Sequence, residues 1–369
     1  MPSYPYTPVV AALRETTPFV GPEALARQRG LQIRARMGAN ESVFGPSPKA
    51  IAAMRQAAAE VWKYGDPDVH ELKVALARLH RVAPDNIAVG EGIDGLHGIF
   101  VRLFVAPGVT VVTSQGAYPT FNYHVAGSGG RLVAAPYRND REDPEALLAL
   151  AHAERARVVF LANPDNPMGT WWDAGTVQHL IDGLPENCLL CLDEAYADFA
   201  PDGTIPPIDV TSHRVMRFRT FSKAHGMAGL RVGYAIGEAS LAHSFDRLRN
   251  HFGVGRIAQA GALAALGDVE HLAFVKAQVS DGRDRIASIA RAHGLSPIPS
   301  ATNFVTVDCG GDGAFARRVL DSVLARGIFI RMPGVPPLDR CIRVSVGTTE
   351  NIDLFAEVLA EALADARRG

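Results

Sequence analysis

The chain has 369 residues, 47% hydrophobic and 21% charged, with a formal net charge of −2. That is enough apolar mass for a large core, as two domains or as one large and one small. The near-neutral balance, without a basic run, argues against a nucleic-acid partner. Met1–Tyr6 shows no basic stretch followed by an apolar one, and no apolar run reaches membrane-spanning length, so a cytoplasmic protein with no membrane partner is expected. Four cysteines make no disulfide framework. Cys188 and Cys191 have metal-like spacing but sit in an apolar run with no second pair at finger spacing, so they read as core and no metal is expected.

In chain order, residues 1–38 read as an irregular arm, with Thr17-Pro18-Phe19-Val20-Gly21-Pro22 against regular structure and one short helix at Glu23–Arg29. Ser47-Pro48 places an N-cap and a first-turn proline before a helix running to about Trp62. Val69, Leu72, Leu76 and Leu79 mark one face of the next. From Ile87 strands alternate with helices: Ile87–Val89, Val109–Thr113, Leu132–Ala135, Val158–Leu161, Leu189–Leu192, Val215–Phe218 and Val232–Ile236. This alternation predicts a largely parallel sheet covered by helices on both faces. After about residue 240 long helices are predicted at 240–265 and 269–293, then short strands at Phe304–Val307, Ile328–Arg331 and Ile342–Val346, a second, α+β domain. The expected division is 1–38 (arm, joining the small domain), 39–250 (large domain) and 251–369 (small domain).

Arg219–Tyr234 carries the most chemistry. It links two strands and holds Thr220, Ser222, Lys223 and, eight residues after the lysine, Arg231. Burial and a nearby cation both disfavour the ammonium form, and a neutral lysine amine forms Schiff bases. Hydroxyls beside an arginine suit a phosphate. Pyridoxal phosphate is an aldehyde that needs all of these; a Ser-Lys pair alone would read as a polar loop.

Gly90-Glu91-Gly92-Ile93-Asp94-Gly95 matches the dinucleotide fingerprint and raises a nicotinamide-dependent oxidoreductase or nucleotide-binding module as a rival. No Asp or Glu follows between Leu96 and Asn139 to take the ribose, which leaves a turn whose N–H groups cradle one phosphate, or an ordinary glycine turn. Asn166 lies in a turn cluster after a strand, where open α/β sheets put their ligands. Asp193 ends an apolar run and needs a cationic partner such as a protonated pyridine nitrogen, or is a helix N-cap; Tyr196 follows within reach of a ring oxygen. Tyr118 can stack on a flat cofactor or simply pack. Arg343, in an apolar strand of the second domain, offers a fork to a substrate carboxylate.

With these residues in view, the chain resembles the fold-type I pyridoxal-phosphate aminotransferases, and within them the histidinol-phosphate aminotransferases. The motifs are Ala39-Asn40-Glu41, Tyr64, Asn166-Pro167-x-Gly169, Asp193-Glu-Ala-Tyr196, Thr220-x-Ser-Lys-Ala224, Ala228-Gly-Leu-Arg-x-Gly233 and Ile342-Arg-Val-x-Val-Gly-Thr348, in this order along the whole chain. The resemblance implies an aspartate-aminotransferase-like fold, α/β with a mostly parallel seven-stranded-type sheet plus a smaller α+β domain. It implies a Schiff base on Lys223, Asp193 on the pyridinium, Tyr196 and Asn166 on the ring oxygen, and Tyr118 stacked on the ring. The phosphate would be held by Gly92, Ile93 and Asp94 backbone, Thr220, Ser222 and Arg231, and by Tyr64 of a neighbouring subunit, hence a homodimer with shared active sites. Asn40, Asn166, Arg331 and Arg343 would line the substrate site, Arg343 on the α-carboxylate and Arg331 at the far end, with Phe19 and Phe252 nearby.

This chain departs from the family pattern where Phe19 and Phe252 replace tyrosines, deleting two hydroxyls that bind a substrate phosphate. Met168 and Gly95 also stand in place of the usual Thr and acid. The expected reaction is ping-pong transamination with Lys223 as base then acid and 2-oxoglutarate as second substrate. Donors are histidinol phosphate or aromatic amino acids; a related amino-acid-phosphate decarboxylase is the chemical rival.

Overall fold

The computed structural model describes residues 4–13, 15 and 20–368. Among the described residues twelve strands run in chain order: β1 (Ala35–Arg36), β2 (Ile87–Gly90), β3 (Thr110–Ser114), β4 (Arg131–Ala135), β5 (Val158–Ala162), β6 (Leu189–Asp193), β7 (Val215–Thr220), β8 (Gly233–Ile236), β9 (Ser296–Pro297), β10 (Phe304–Asp308), β11 (Ile328–Phe329) and β12 (Cys341–Ser345). Seven of them form one sheet in the order β2-β8-β7-β6-β5-β3-β4. The mostly parallel sheet expected from the strand–helix alternation is present. One strand departs from it: β8 is antiparallel to both β7 and β2. Its link from β7 holds no α-helix, only the 3-10 turn Ala228–Leu230, and a parallel neighbour is usually reached by a helical crossover.

Central strands are apolar throughout because helices cover both faces. Val111, Phe160, Cys191, Met216 and Phe218 point to one face, under the helices Gly92–Phe104 and Pro119–Gly127. Val112, Val159, Leu161, Leu190 and Leu192 point to the other, under Pro144–Ala153 and Ala174–Gly183. This alternation is the two-residue period of a strand.

The small domain has an antiparallel sheet β12-β10-β9 backed by the helices Val269–Ala292, Gly313–Ala325 and Thr349–Arg368. The N-terminal segment is woven into it. β1 pairs parallel with β11, Met37 N–H donates to Phe329 O (2.8 Å), and Ser345 N–H donates to Met37 O (2.8 Å).

Several boundaries differ from expectation. The helix starting at Pro48 ends at Ala58, a turn before Trp62. The long helix expected over 240–265 is broken into Ala239–Ser244, a 3-10 turn Phe245–Arg247, and Arg256–Leu266. The break contains Gly253, where an added Cβ would lie 1.7 Å from Glu91 Oε1, so any other residue there would push the Glu91 side chain aside. In the Arg256–Leu266 helix, Ala258, Ala262 and Ala265 pack with Ala50, Leu72, Leu76 and Val232 of the large domain. The division expected at 250/251 separates this helix from the core it packs into; a boundary after Leu266 keeps that core whole. No helix among the described residues is long and apolar enough to cross a membrane.

Candidate active site

The carboxyl ends of β5, β6 and β7 and the start of the helix Gly92–Phe104 converge on Lys223, three residues past β7. Two joined cavities share that lysine together with Ala39, Tyr118 and Asn166. The inner one, of about 250 Å³, is lined by Ile93, Asp94, Asp193, Tyr196, Thr220, Ser222 and Arg231. The outer one, of about 620 Å³, is lined by Asn40, Asn122, Arg331 to Val335 and Arg343.

At one end of the inner cavity the helix Gly92–Phe104 presents its first N–H groups, the positive end of its dipole. Gly92 has φ +75°, and a Cβ there would lie 2.5 Å from Arg231 Nη2; glycine is what lets the guanidinium close over the turn. Gly233 lets β8 pass close against the same turn, since its Cβ would come within 3.0 Å of the backbone at Gly92 and Ile93. Arg231 Nη1 donates to Ala228 O (2.9 Å) and to Ser222 Oγ (3.4 Å), and Thr220 Oγ1 donates to Ser222 Oγ (3.0 Å). Two buried hydroxyls, helix N–H groups and a guanidinium therefore face one pocket, an anion site.

At the other end Asp193 closes β6. Its Oδ1 accepts from Ala195 N–H (2.9 Å), and burial pushes the carboxyl up to about 7, against the pull of Lys223. Glu194 beside it is paired separately, with Arg217 (3.0 Å) and Arg219 (2.9 Å). Lys223 is pushed down to about 8, first by burial, then by Arg343, while Asp193 opposes the shift. Its Nζ donates to Asn40 O (3.1 Å) and lies 5.5 Å from the centre of the Tyr196 ring. Tyr196 OH accepts from Asn40 Nδ2 (2.9 Å), and burial raises its pKa.

In the outer cavity Arg343 donates to Asn166 Oδ1 and to Gly38 O, with its guanidinium 5.1 Å over the Phe304 ring. Burial, reinforced by Arg331, brings it down to about 10. Arg331 and Arg343 are cross-strand neighbours and exchange backbone hydrogen bonds; Arg331 Nη2 also donates to Val20 O (2.9 Å). Two guanidiniums thus stand together at the mouth.

Of the residues singled out from the sequence, the structure brings Asn40, Ile93, Asp94, Tyr118, Asn166, Asp193, Tyr196, Thr220, Ser222, Lys223, Arg231, Arg331 and Arg343 to these two cavities, with Gly92 at the inner rim. It does not bring Tyr64 and Phe252. They stack on each other at 4.6 Å, 76% and 48% exposed, and line neither cavity of their own chain. The placement of Phe252 by resemblance therefore fails within a single chain; a substrate role for it requires a second subunit, as does a phosphate role for Tyr64. Phe19, with Thr17 and Pro18, lies outside the described residues.

Sequence reasoning passed over the supports. Ser345 Oγ donates to Asn40 Oδ1 (2.9 Å) and Asn303 Nδ2 to Asn40 O (3.0 Å), so the small domain fixes the residue that touches both Lys223 and Tyr196. The turn holding Asn166 is braced by buried Asp165, which accepts from Tyr137 OH (2.9 Å) and Met168 N–H (3.0 Å), and by Thr306 Oγ1 on Pro167 O (2.7 Å). Single polar residues on apolar strands carry no local signal of such roles.

A sheet of this order with an anion cradle, a buried carboxyl and a depressed lysine around one cavity defines an aminotransferase scaffold. The family of class I and II aminotransferases matches residues 34–359, and the chain belongs to it: it is a fold-type I, pyridoxal-phosphate-dependent transaminase. Within the family it is histidinol-phosphate aminotransferase-like. It is 35% identical over 364 residues to histidinol-phosphate aminotransferase 2 of Pseudomonas aeruginosa, covering 97% of each chain. It is 54% identical, with a TM-score of 0.96 over 98% of each chain, to the histidinol-phosphate aminotransferase of Sinorhizobium meliloti solved in complex with pyridoxal-5′-phosphate. A single mutant of Thermus thermophilus aspartate aminotransferase shares the fold, at a TM-score of 0.83 and 23% identity over 98% of this chain and 100% of that one.

Proposed function

We propose that this chain moves an amino group from histidinol phosphate or an aromatic amino acid to 2-oxoglutarate by a ping-pong cycle, as a homodimer whose sites are completed across the interface. The observation that carries the reading is Lys223 on the shared floor of two cavities, one fitted to the cofactor and one to an anionic substrate. The inner residues fit pyridoxal phosphate: the glycine that lets Arg231 close over the helix N-terminus leaves room for a phosphate, and the buried carboxyl of Asp193 waits at the opposite end for a cation. Gly92, Ile93, Asp94, Thr220, Ser222 and Arg231 would hold the phosphate, Tyr118 the ring face, and Asn166 and Tyr196 the ring oxygen. When bound, the cofactor supplies an electron sink for negative charge at the substrate Cα.

Lys223 takes the Cα proton as a neutral amine and returns it as an ammonium. A pKa held near 8 keeps both forms accessible near neutral pH. Arg343, oriented by Asn166 and Gly38 O, receives the carboxylate of an amino or oxo acid in a fork. With Arg331 beside it the same mouth offers two cations, which suits the phosphate ester of histidinol phosphate, a dianion that takes the place of the carboxylate. Aromatic donors are a second reading, favoured by Phe252, which offers no phenol hydroxyl to a phosphate in either subunit.

The test is a donor panel with 2-oxoglutarate, histidinol phosphate and phenylalanine first. Glutamate forms, and initial rates against both substrates give the parallel lines of a ping-pong cycle. Carbon dioxide release without an acceptor would instead establish the decarboxylase. A thousandfold preference for histidinol phosphate over phenylalanine would remove the aromatic reading.

A further inference from the structure

Five residues into the helix that opens the anion cradle, His97 lies fully buried behind the carboxyl of Asp193. Its Nε2 is 3.9 Å from Asp193 Oδ2, and neither ring nitrogen has a hydrogen-bond partner among the described residues. The rest of its surroundings are aromatic: Phe218, Phe121 and Phe160 meet it edge-on at 4.7, 5.6 and 5.7 Å between ring centres. Leu96, Ile99 and Phe100 beside it are ordinary core residues. An imidazole there leaves two buried nitrogens unpaired, a cost that any apolar side chain would avoid. Among the described residues, Asp193 is the one carboxylate within 4 Å of it.

The charged groups around the pair come from several elements. Asp94, on the same helix, favours protonation of His97, and His124, from the helix Pro119–Gly127, opposes it. Lys223 favours the charged form of Asp193, whereas Glu194 and Asp94 disfavour it. Burial dominates and drives His97 down to about 3, so its ring is neutral in the working range and carries a single N–H. Asp193 Oδ1 is already engaged by Ala195 N–H, and Oδ2 is the oxygen turned to His97.

We propose that His97 is a positioning residue: its neutral imidazole donates Nε2–H to Asp193 Oδ2 and so holds that carboxyl ionised and aimed at the ring nitrogen of the cofactor. Hydrogen-bond length is about 1 Å closer than the present separation. A neutral donor favours the carboxylate over the acid without adding a positive charge that would compete with a protonated ring. One helix then serves both ends of the cofactor, phosphate at its N-terminus and ring nitrogen through its second turn. The inference rests on the reading of Asp193 as the ring-nitrogen partner.

The test follows the ring-nitrogen signal of nitrogen-15-labelled pyridoxal phosphate in the holoenzyme by NMR across pH. His97→Phe is expected to move it toward the unprotonated value and to lower ring-nitrogen proton affinity about tenfold, the scale of one hydrogen bond to a charged group. His97→Gln, whose amide can donate, restores it. A His97→Phe signal that coincides with wild type, in a protein where Asp193→Asn does move it, overturns this proposal alone. A signal unmoved by Asp193→Asn overturns the reading of Asp193 beneath it. Should His97→Phe not fold, nitrogen-15 histidine in the wild-type holoenzyme decides: a neutral ring protonated on Nε2 is expected, and a proton on Nδ1 or an imidazolium overturns the proposal.

Discussion

Apart from Ala39 and Glu41, the residues around the inner cavity sit at the end of a strand of the large sheet, in the loop just after it, or in the first turn of the helix Gly92–Phe104. The outer cavity draws on three separate parts of the chain: the Asn40 turn after the N-terminal segment, the Gly116–Asn122 and Asn166 loops of the large domain, and Arg331 to Val335 with Arg343 of the small domain. The first is as rigid as the sheet that carries it. The second holds its shape only as long as three parts stay together. A cofactor that never changes is held by the rigid wall, and substrates that alternate each half-cycle by the composite one. Changes to the inner wall should therefore remove chemistry, and changes to the outer one should alter choice of substrate.

The strongest way to break that contrast is at the lysine both cavities share. Lys223→Ala is expected to fold, to lose the visible absorption of lysine-bound cofactor, and to slow the single-turnover half-reaction by at least ~10⁴, since both attachment and proton transfer go with it. Half-reaction rates near wild type would remove Lys223 from its role. Asp193→Asn should retain cofactor yet react about ten- to a hundredfold slower or more, because a charge-assisted hydrogen bond worth ~1.5–3 kcal/mol acts mainly on the reacting state. Rates within tenfold of wild type would contradict the assignment.

Arg343→Lys moves to the outer wall. It keeps the charge and loses the fork, so kcat/KM for 2-oxoglutarate should fall by about ten- to a hundredfold with the cofactor spectrum unchanged. The same arginine offers a pH test. Lys223 is pushed down to about 8 by burial and then by Arg343. Capture of the cofactor aldehyde by apoprotein needs the neutral amine, so its rate should rise with pH and level off above about 8. Arg343→Met, which deletes a depressing cation, should move that midpoint upward; a midpoint that stays or falls would separate the two residues. The smallest effect is expected furthest out: Phe252→Tyr should raise the histidinol phosphate to phenylalanine ratio of kcat/KM by about tenfold, as one restored hydroxyl would. An unchanged ratio places Phe252 outside the substrate site of either subunit.

The same contrast explains what could be read from residues alone. Gly92, Asn166, Asp193 and Lys223 each sit at or just past the end of an apolar strand, where composition switches abruptly, so both the strands and the ligand side of the sheet were legible. The direction of β8 was not, because strand patterning is the same in either direction. The break at 248–255 was missed because its contacts are long-range: Asn250 donates to Glu91 and Gly253 packs on the same side chain, more than 150 residues earlier. The brace on Asn40 from Asn303 and Ser345 is long-range in the same way. His97 was unreadable for a different reason: a lone histidine on an apolar helix face looks like core, and only its distance from Asp193 sets it apart.

The pairing of β1 with β11, and the seat of Met37 between Phe329 and Ser345, has a consequence in time. The ribosome delivers residues 34–40 about three hundred residues before β11 and β12. At ~5–20 residues per second, roughly a quarter of a minute to a minute passes before β11 and β12 emerge. For most of that interval Asn40 lacks Asn303, and for all of it Ser345, while the strands that carry Asp193 and Lys223 can already pair with one another. The nascent chain is thus able to acquire a cofactor wall well before it has a substrate mouth, and competence for turnover arrives only with β12.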